Sequence, residues 1–146
     1  AIIEFAELTG YDFDFAIYVK VFNSITNVAR LSGEDFAMVF TSGIVPDDGS
    51  HDPGPTQMFI RNYGTRVHHM ALWTESIQET WQGLAQAGQE FMIDLLGSPE
   101  EGLRQTFSQP SNHTMLVTEL IHRYGDFRGF FTRSNVTKLT GATEGQ

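Results

Sequence analysis

Along the first forty residues the apolar positions change period. Ile2, Ile3, Phe5, Ala6 and Leu8 lie at helical spacing, and Gly10 follows where a C-cap glycine belongs. No N-cap residue precedes them. The pattern reads as the last turns of a helix, with the chain starting partway through a domain. From Phe13 to Phe22 apolar and polar positions alternate among β-branched residues, which predicts a strand. Thr26 to Leu31 predicts a weaker one. Asp35 to Ser42 predicts a third, with Phe36, Met38 and Phe40 on one face. Pro, Asp and Gly crowd Val45 to Pro55, which reads as a loop. Met58 to Asn62 reads as a strand end or a short helical turn.

The pattern is sharper after residue 64. Arg66 to Thr74 has the composition of a strand. Ser76 is placed as an N-cap with Glu79 three residues on, the spacing of a capping box. Ile77, Trp81 and Leu84 then form a helical stripe, and Gly88 closes it as a C-cap. Glu90 to Leu96, Leu103 to Ser108 and Met115 to Arg123 are strand-like. The second half therefore reads β-α-β-β-β, and the first reads end-of-α, then β-β-β. The expected fold class is α+β: paired βαβββ modules forming a partly open, cupped sheet with helices outside. The first module lacks its opening strand. Expected boundaries are 1–64 for the incomplete module, 65–124 for the complete one and 125–146 for a tail. The likeness of the halves lies in element order, without a residue-level repeat.

Composition narrows the chemistry. A net charge of −9 disfavours nucleic acid and anionic membrane surfaces as partners. Twelve Phe and a hydrophobic fraction of 40% supply a core, so global disorder is not expected. The absence of Cys excludes disulfides, thiolate metal sites and cysteine nucleophiles, leaving His, carboxylate and amide groups to hold any metal. No secretion signal opens the chain, so the cytoplasm is the expected compartment. The sequons at Asn112 and Asn135 read as chance matches.

Two polar residues stand out in apolar strands. In Val67-His68-His69-Met70-Ala71-Leu72-Trp73, alternation puts His69, Ala71 and Trp73 on one face and His68, Met70 and Leu72 on the other. In Met115-Leu116-Val117-Thr118-Glu119-Leu120-Ile121, a carboxylate sits among apolar neighbours, where burial is costly unless it is paired or metal-bound. Two readings stay open from the residues alone. His69 and Glu119 are either two ligands of one metal or a hydrogen-bonded histidine and a solvent-facing glutamate.

Four ordered stretches in the second half resemble the catalytic half of 4-hydroxyphenylpyruvate dioxygenases, of the vicinal-oxygen-chelate superfamily. Val67 to Glu75 is similar to the family's metal-histidine strand, V-Q-H-I-A-L-x-T-x. Gly102 to Pro110 is similar to G-L-L-L-Q-I-F-T-x-P, with one residue fewer. Val117 to Arg123 is similar to F-x-E-x-I-Q-R. Phe130 to Val136, with Leu139, is similar to the G-F-G-x-G-N-F-x-x-L-F tail. The resemblance implies metal ligation by His69 and Glu119. It also implies substrate contacts from Gln105 and Phe131. It further implies Fe(II), or another divalent metal, and a small aromatic α-keto acid with dioxygen as partners. A facial triad needs a third ligand, which the family takes from the opening strand absent here. His51, in the loop, is the only histidine before the second module and does not align with it. The tail glycines are replaced by Phe130, Thr132 and Ser134. Three functions remain in view: such a dioxygenase, another metalloenzyme of the fold such as a glyoxalase-like or extradiol enzyme, and a metal-free binding module. A homo-oligomer is compatible with each.

Overall fold

The computed structural model describes residues 1–129 together with Phe131, Asn135 and Lys138. The chain divides into two compact units, with the boundary after Gly64.

In the first unit, helix α1 (Ile2–Thr9) ends on Gly10, whose φ of 77° is the left-handed C-cap conformation. Strands β1 (Asp12–Val19), β2 (Ser24–Arg30) and β3 (Met38–Gly43) follow in an antiparallel sheet of order β1-β2-β3. The helix is held by aromatic contacts. The Phe5 ring lies 5.1 Å from Tyr11 and 5.5 Å from Phe40, and Tyr11 lies 5.9 Å from Phe36. Tyr11, Val19, Val28 and Ala29 form the buried apolar positions of this unit.

Three expectations for this half need correction. The strand from Phe13 stops at Val19, because Lys20–Phe22 coil into a 3₁₀ turn and Asn23 is left-handed at φ 48°. The Asn23 amide is then committed to the long loop: it donates to the Val45 and Pro53 carbonyls at 3.2 Å and accepts from the Val45 amide at 2.8 Å. The third strand starts at Met38, since the Ser32 hydroxyl binds the Asp35 carboxylate at 2.7 Å and makes that stretch a turn. The loop ends early and Met58 to Asn62 is fully helical, within α2 (Gly54–Tyr63). Pro55 sits in its first turn, where a missing N–H costs nothing.

The second unit contains β4 (His69–Trp73), α3 (Ile77–Gln86), β5 (Phe91–Ser98), β6 (Leu103–Ser108) and β7 (Val117–Arg123). The sheet order is β4-β7-β6-β5. β4 runs parallel to β7, and the other neighbours are antiparallel. A parallel pair cannot be closed by a hairpin, so the helix and two strands between them form the crossover. Helix α3 packs across β5, β6 and β7. No side-chain cap bond forms at Ser76, so the capping box is absent. The glycine stop is present: Gln89 N–H donates to the Leu84 carbonyl and Gly88 N–H to that of Ala85, a Schellman closure with Gly88 at φ 92°. Leu103, Phe107, Val117, Leu120, Ile121 and Ile77 are the buried apolar residues. Asn135 is fully buried, so its sequon is no surface acceptor.

The second unit is thus a complete βαβββ module. The first has the same order from its helix onward, with β1, β2 and β3 in the places of β5, β6 and β7. Among the described residues, the outer edge of β3 has no strand where β7 has β4.

Candidate functional site

The parallel register of the second unit sets His69 opposite Val117 and Ala71 opposite Glu119, while β6 sets Phe107 opposite Glu119. His69 and Glu119 therefore stand two positions apart on adjacent strands, facing the same side. His69 Nε2 lies 3.5 Å from Glu119 Oε2. The His69 ring lies edge-on to Phe107 at 5.6 Å. The glutamate side chain is only 4% exposed and that of the histidine 27%.

Burial decides the charge on both groups. It pushes the Glu119 carboxyl up to about 8, against the pull of the Arg123 guanidinium, which favours the anion. It pushes His69 down to about 4, and the neighbouring His68 adds to the effect. Near neutral pH the pair is a neutral imidazole beside a protonated carboxyl, so no ion pair forms.

Two polar groups on this face lack protein partners. Glu119 Oε1 is buried with no hydrogen bond. Gln105 is fully buried, and neither its amide oxygen nor its amide nitrogen has a partner. Gln105 pairs with Ile121 in register, so it stands diagonal to Glu119 across β6 and β7. Buried amides and carboxylates left unmatched are costly. A divalent cation fits the imidazole nitrogen and the carboxylate as two of its protein ligands, and an incoming oxygen-rich molecule fits the amide. Among the described residues no three His, Asp or Glu side chains gather as a complete metal set.

The remaining candidates divide. Phe131 is half-buried. Phe130, Thr132, Ser134, Val136 and Leu139 of the tail motif lie outside the described residues. His51 sits in the loop of the first unit, its Nδ1 2.5 Å from the Ser50 hydroxyl. His68 departs from the alternation expected of it. β4 begins at His69, so His68 precedes the strand and is free of its alternation. Its Nδ1 lies 2.9 Å from His69 Nδ1, with the two rings perpendicular at 88°. The paired histidines were visible in the sequence as a neighbour to the candidate ligand; the strand start that turns one ring onto the other was not.

A βαβββ module and a second unit of the same strand order are the parts of the vicinal-oxygen-chelate fold. Solved structures of that fold are similar to this chain. One is a triple mutant of 4-hydroxymandelate synthase from Streptomyces coelicolor: TM-score 0.76, 20% identity, 97% of this chain and 48% of that chain covered. This chain thus spans about half the length of that protein. Methylmalonyl-CoA epimerase from Mycobacterium tuberculosis matches with a TM-score of 0.62 and 12% identity, over 85% of this chain and 79% of that one. The epimerase from Streptomyces coelicolor matches with a TM-score of 0.60 and 17% identity, over 85% and 88%. No family model and no curated protein matches the sequence.

Proposed function

We propose that this chain is the metal-binding part of an Fe(II)-dependent dioxygenase that decarboxylates and oxygenates an aromatic α-keto acid such as 4-hydroxyphenylpyruvate. The observation that carries this reading is the His69–Glu119 pair, its carboxyl buried, with one carboxylate oxygen left unmatched beside an unmatched Gln105 amide. The fold likeness to 4-hydroxymandelate synthase across nearly the whole chain supports it. Bound Fe(II) would supply open coordination positions and redox chemistry toward dioxygen. His69 offers Nε2 as a neutral ligand. Glu119 gives up its proton on ligation. Gln105 donates its amide N–H to an oxygen of the keto acid, and Phe131 packs against the aromatic ring. Phe107 closes the edge of the His69 ring against water. A facial triad would need a third protein ligand beside these two.

The test is anaerobic Fe(II) loading of the full-length protein, followed by oxygen uptake on 4-hydroxyphenylpyruvate. One iron per chain, uptake matched by carbon dioxide release, and loss of both in Glu119→Ala are expected. The fold likeness to methylmalonyl-CoA epimerases favours a second reading, a metal-dependent enzyme working without dioxygen. Turnover under nitrogen would select it. If Glu119→Ala changes neither metal content nor stability, both metal readings fail and a metal-free binding module remains.

A further inference from the structure

Among the described residues, two contacts help to fix His68. Its carbonyl accepts the Val117 amide at 3.0 Å, which ties the residue to the start of β7. Its ring nitrogen Nδ1 meets His69 Nδ1 at 2.9 Å. A bond between two imidazole nitrogens needs one proton, so one ring donates and the other accepts. The far nitrogen of His69, Nε2, faces Glu119 at 3.5 Å. The two nitrogens of one imidazole point in divergent directions, so His68 cannot reach an ion held between His69 and Glu119. It can act on that ion only through His69.

We propose that His68 is a positioning residue: it accepts the Nδ1–H of His69 and so holds His69 in the tautomer whose Nε2 lone pair faces Glu119. This rests on the reading of His69 as a metal ligand. Metal-bound histidines commonly donate their second N–H to a carboxylate or a carbonyl. An imidazole acceptor does the same orienting work without a second negative charge near Glu119.

The experiment is long-range proton–nitrogen NMR of ¹⁵N-histidine-labelled, metal-free protein, paired with Co(II) titration. Wild type is expected to show a protonated Nδ1 and a bare Nε2 on His69. His68→Phe, which keeps a ring but accepts nothing, is expected to give mixed tautomers and about tenfold weaker Co(II) binding. His68→Gln, whose amide oxygen can accept, is expected to restore the tautomer and most of the affinity. A wild-type His69 protonated on Nε2, or a His68→Phe protein with unchanged tautomer and affinity, overturns the proposal. Failure of the wild type to bind Co(II) while the tautomer is as expected overturns the metal reading and leaves the hydrogen-bond assignment standing.

Discussion

Gln105 is the residue whose presence costs the fold most visibly. Its amide is fully buried and unmatched at both ends, between Arg104 and Thr106 on a central strand. An unsatisfied buried polar group costs about 1–3 kcal/mol, whereas an apolar group of similar size does not. Gln105→Leu is therefore expected to raise the free energy of unfolding by about 1–3 kcal/mol in urea. It should also weaken binding of an α-keto acid. A loss of stability would show that the amide is satisfied within the fold. At this scale the sequence carried His69 and Glu119 well, because a polar residue inside an apolar alternating run is visible without structure. It carried His68 poorly. Alternation presumes that the strand includes the residue, and here the strand starts one position later.

Among the elements, β5 sets what lies opposite the β6 residues of the site on their other edge. Its pairing with β6 slips between Phe91 and Ile93 and again between Ile93 and Leu96, which brings Leu96 opposite Gln105. Gly97 follows at φ +85°, and a Cβ there would sit 2.1 Å from the Leu103 carbonyl oxygen. Neither the backbone conformation nor the space admits a side chain. Gly97→Ala is expected to cost about 2–4 kcal/mol in urea unfolding. A change under about 0.5 kcal/mol would mean that the close approach relaxes freely. The bulges left no mark in the sequence beyond a glycine at a strand end. The helix α2 was hidden for a related reason: Gly54 and Pro55 read as loop punctuation, yet they open the helix. Turn chemistry at an element's edge depends on what the backbone meets there, as Asn23 shows by binding a loop 22 and 30 residues away. The strong periodic elements, α3 and the strands β6 and β7, needed no such context.

For the molecule as a whole, the His69–Glu119 pair makes stability depend on pH in the metal-free protein. Glu119 keeps its proton up to about pH 8 when folded and releases it near 4.5 when unfolded. Its contribution is complete below 4.5 and is lost as pH rises through 8. His69 stays neutral down to about pH 4 when folded and gains a proton near 6.5 when unfolded. That contribution is present above 6.5 and is lost as pH falls through 4. The two slopes oppose each other between 4.5 and 6.5, and Glu119 acts alone from 6.5 to 8. Across that upper window, with chelator present, stability is expected to fall by about 1–2 kcal/mol. Glu119→Gln should abolish the fall, and a flat wild-type profile would contradict a buried neutral carboxyl. The same proton must leave when an ion binds. Calorimetry at pH 7 in buffers of different ionisation enthalpy should therefore register about one proton released per divalent ion.

The parallel pairing of β4 with β7 also sets when the site comes into being. His69 and Glu119 are separated by 50 positions, and the strands that carry them open and close the second unit. Helix α3 and the β5–β6 hairpin are local and can form early. The parallel pair closes the longest loop in the unit and so comes late. During synthesis the growing chain has most of its second sheet before it has a site at all. An ion that bridged the two strands, as the proposed function requires, would therefore find them already joined. It would prolong the life of the finished sheet by slowing its opening, and leave the rate of assembly to the chain.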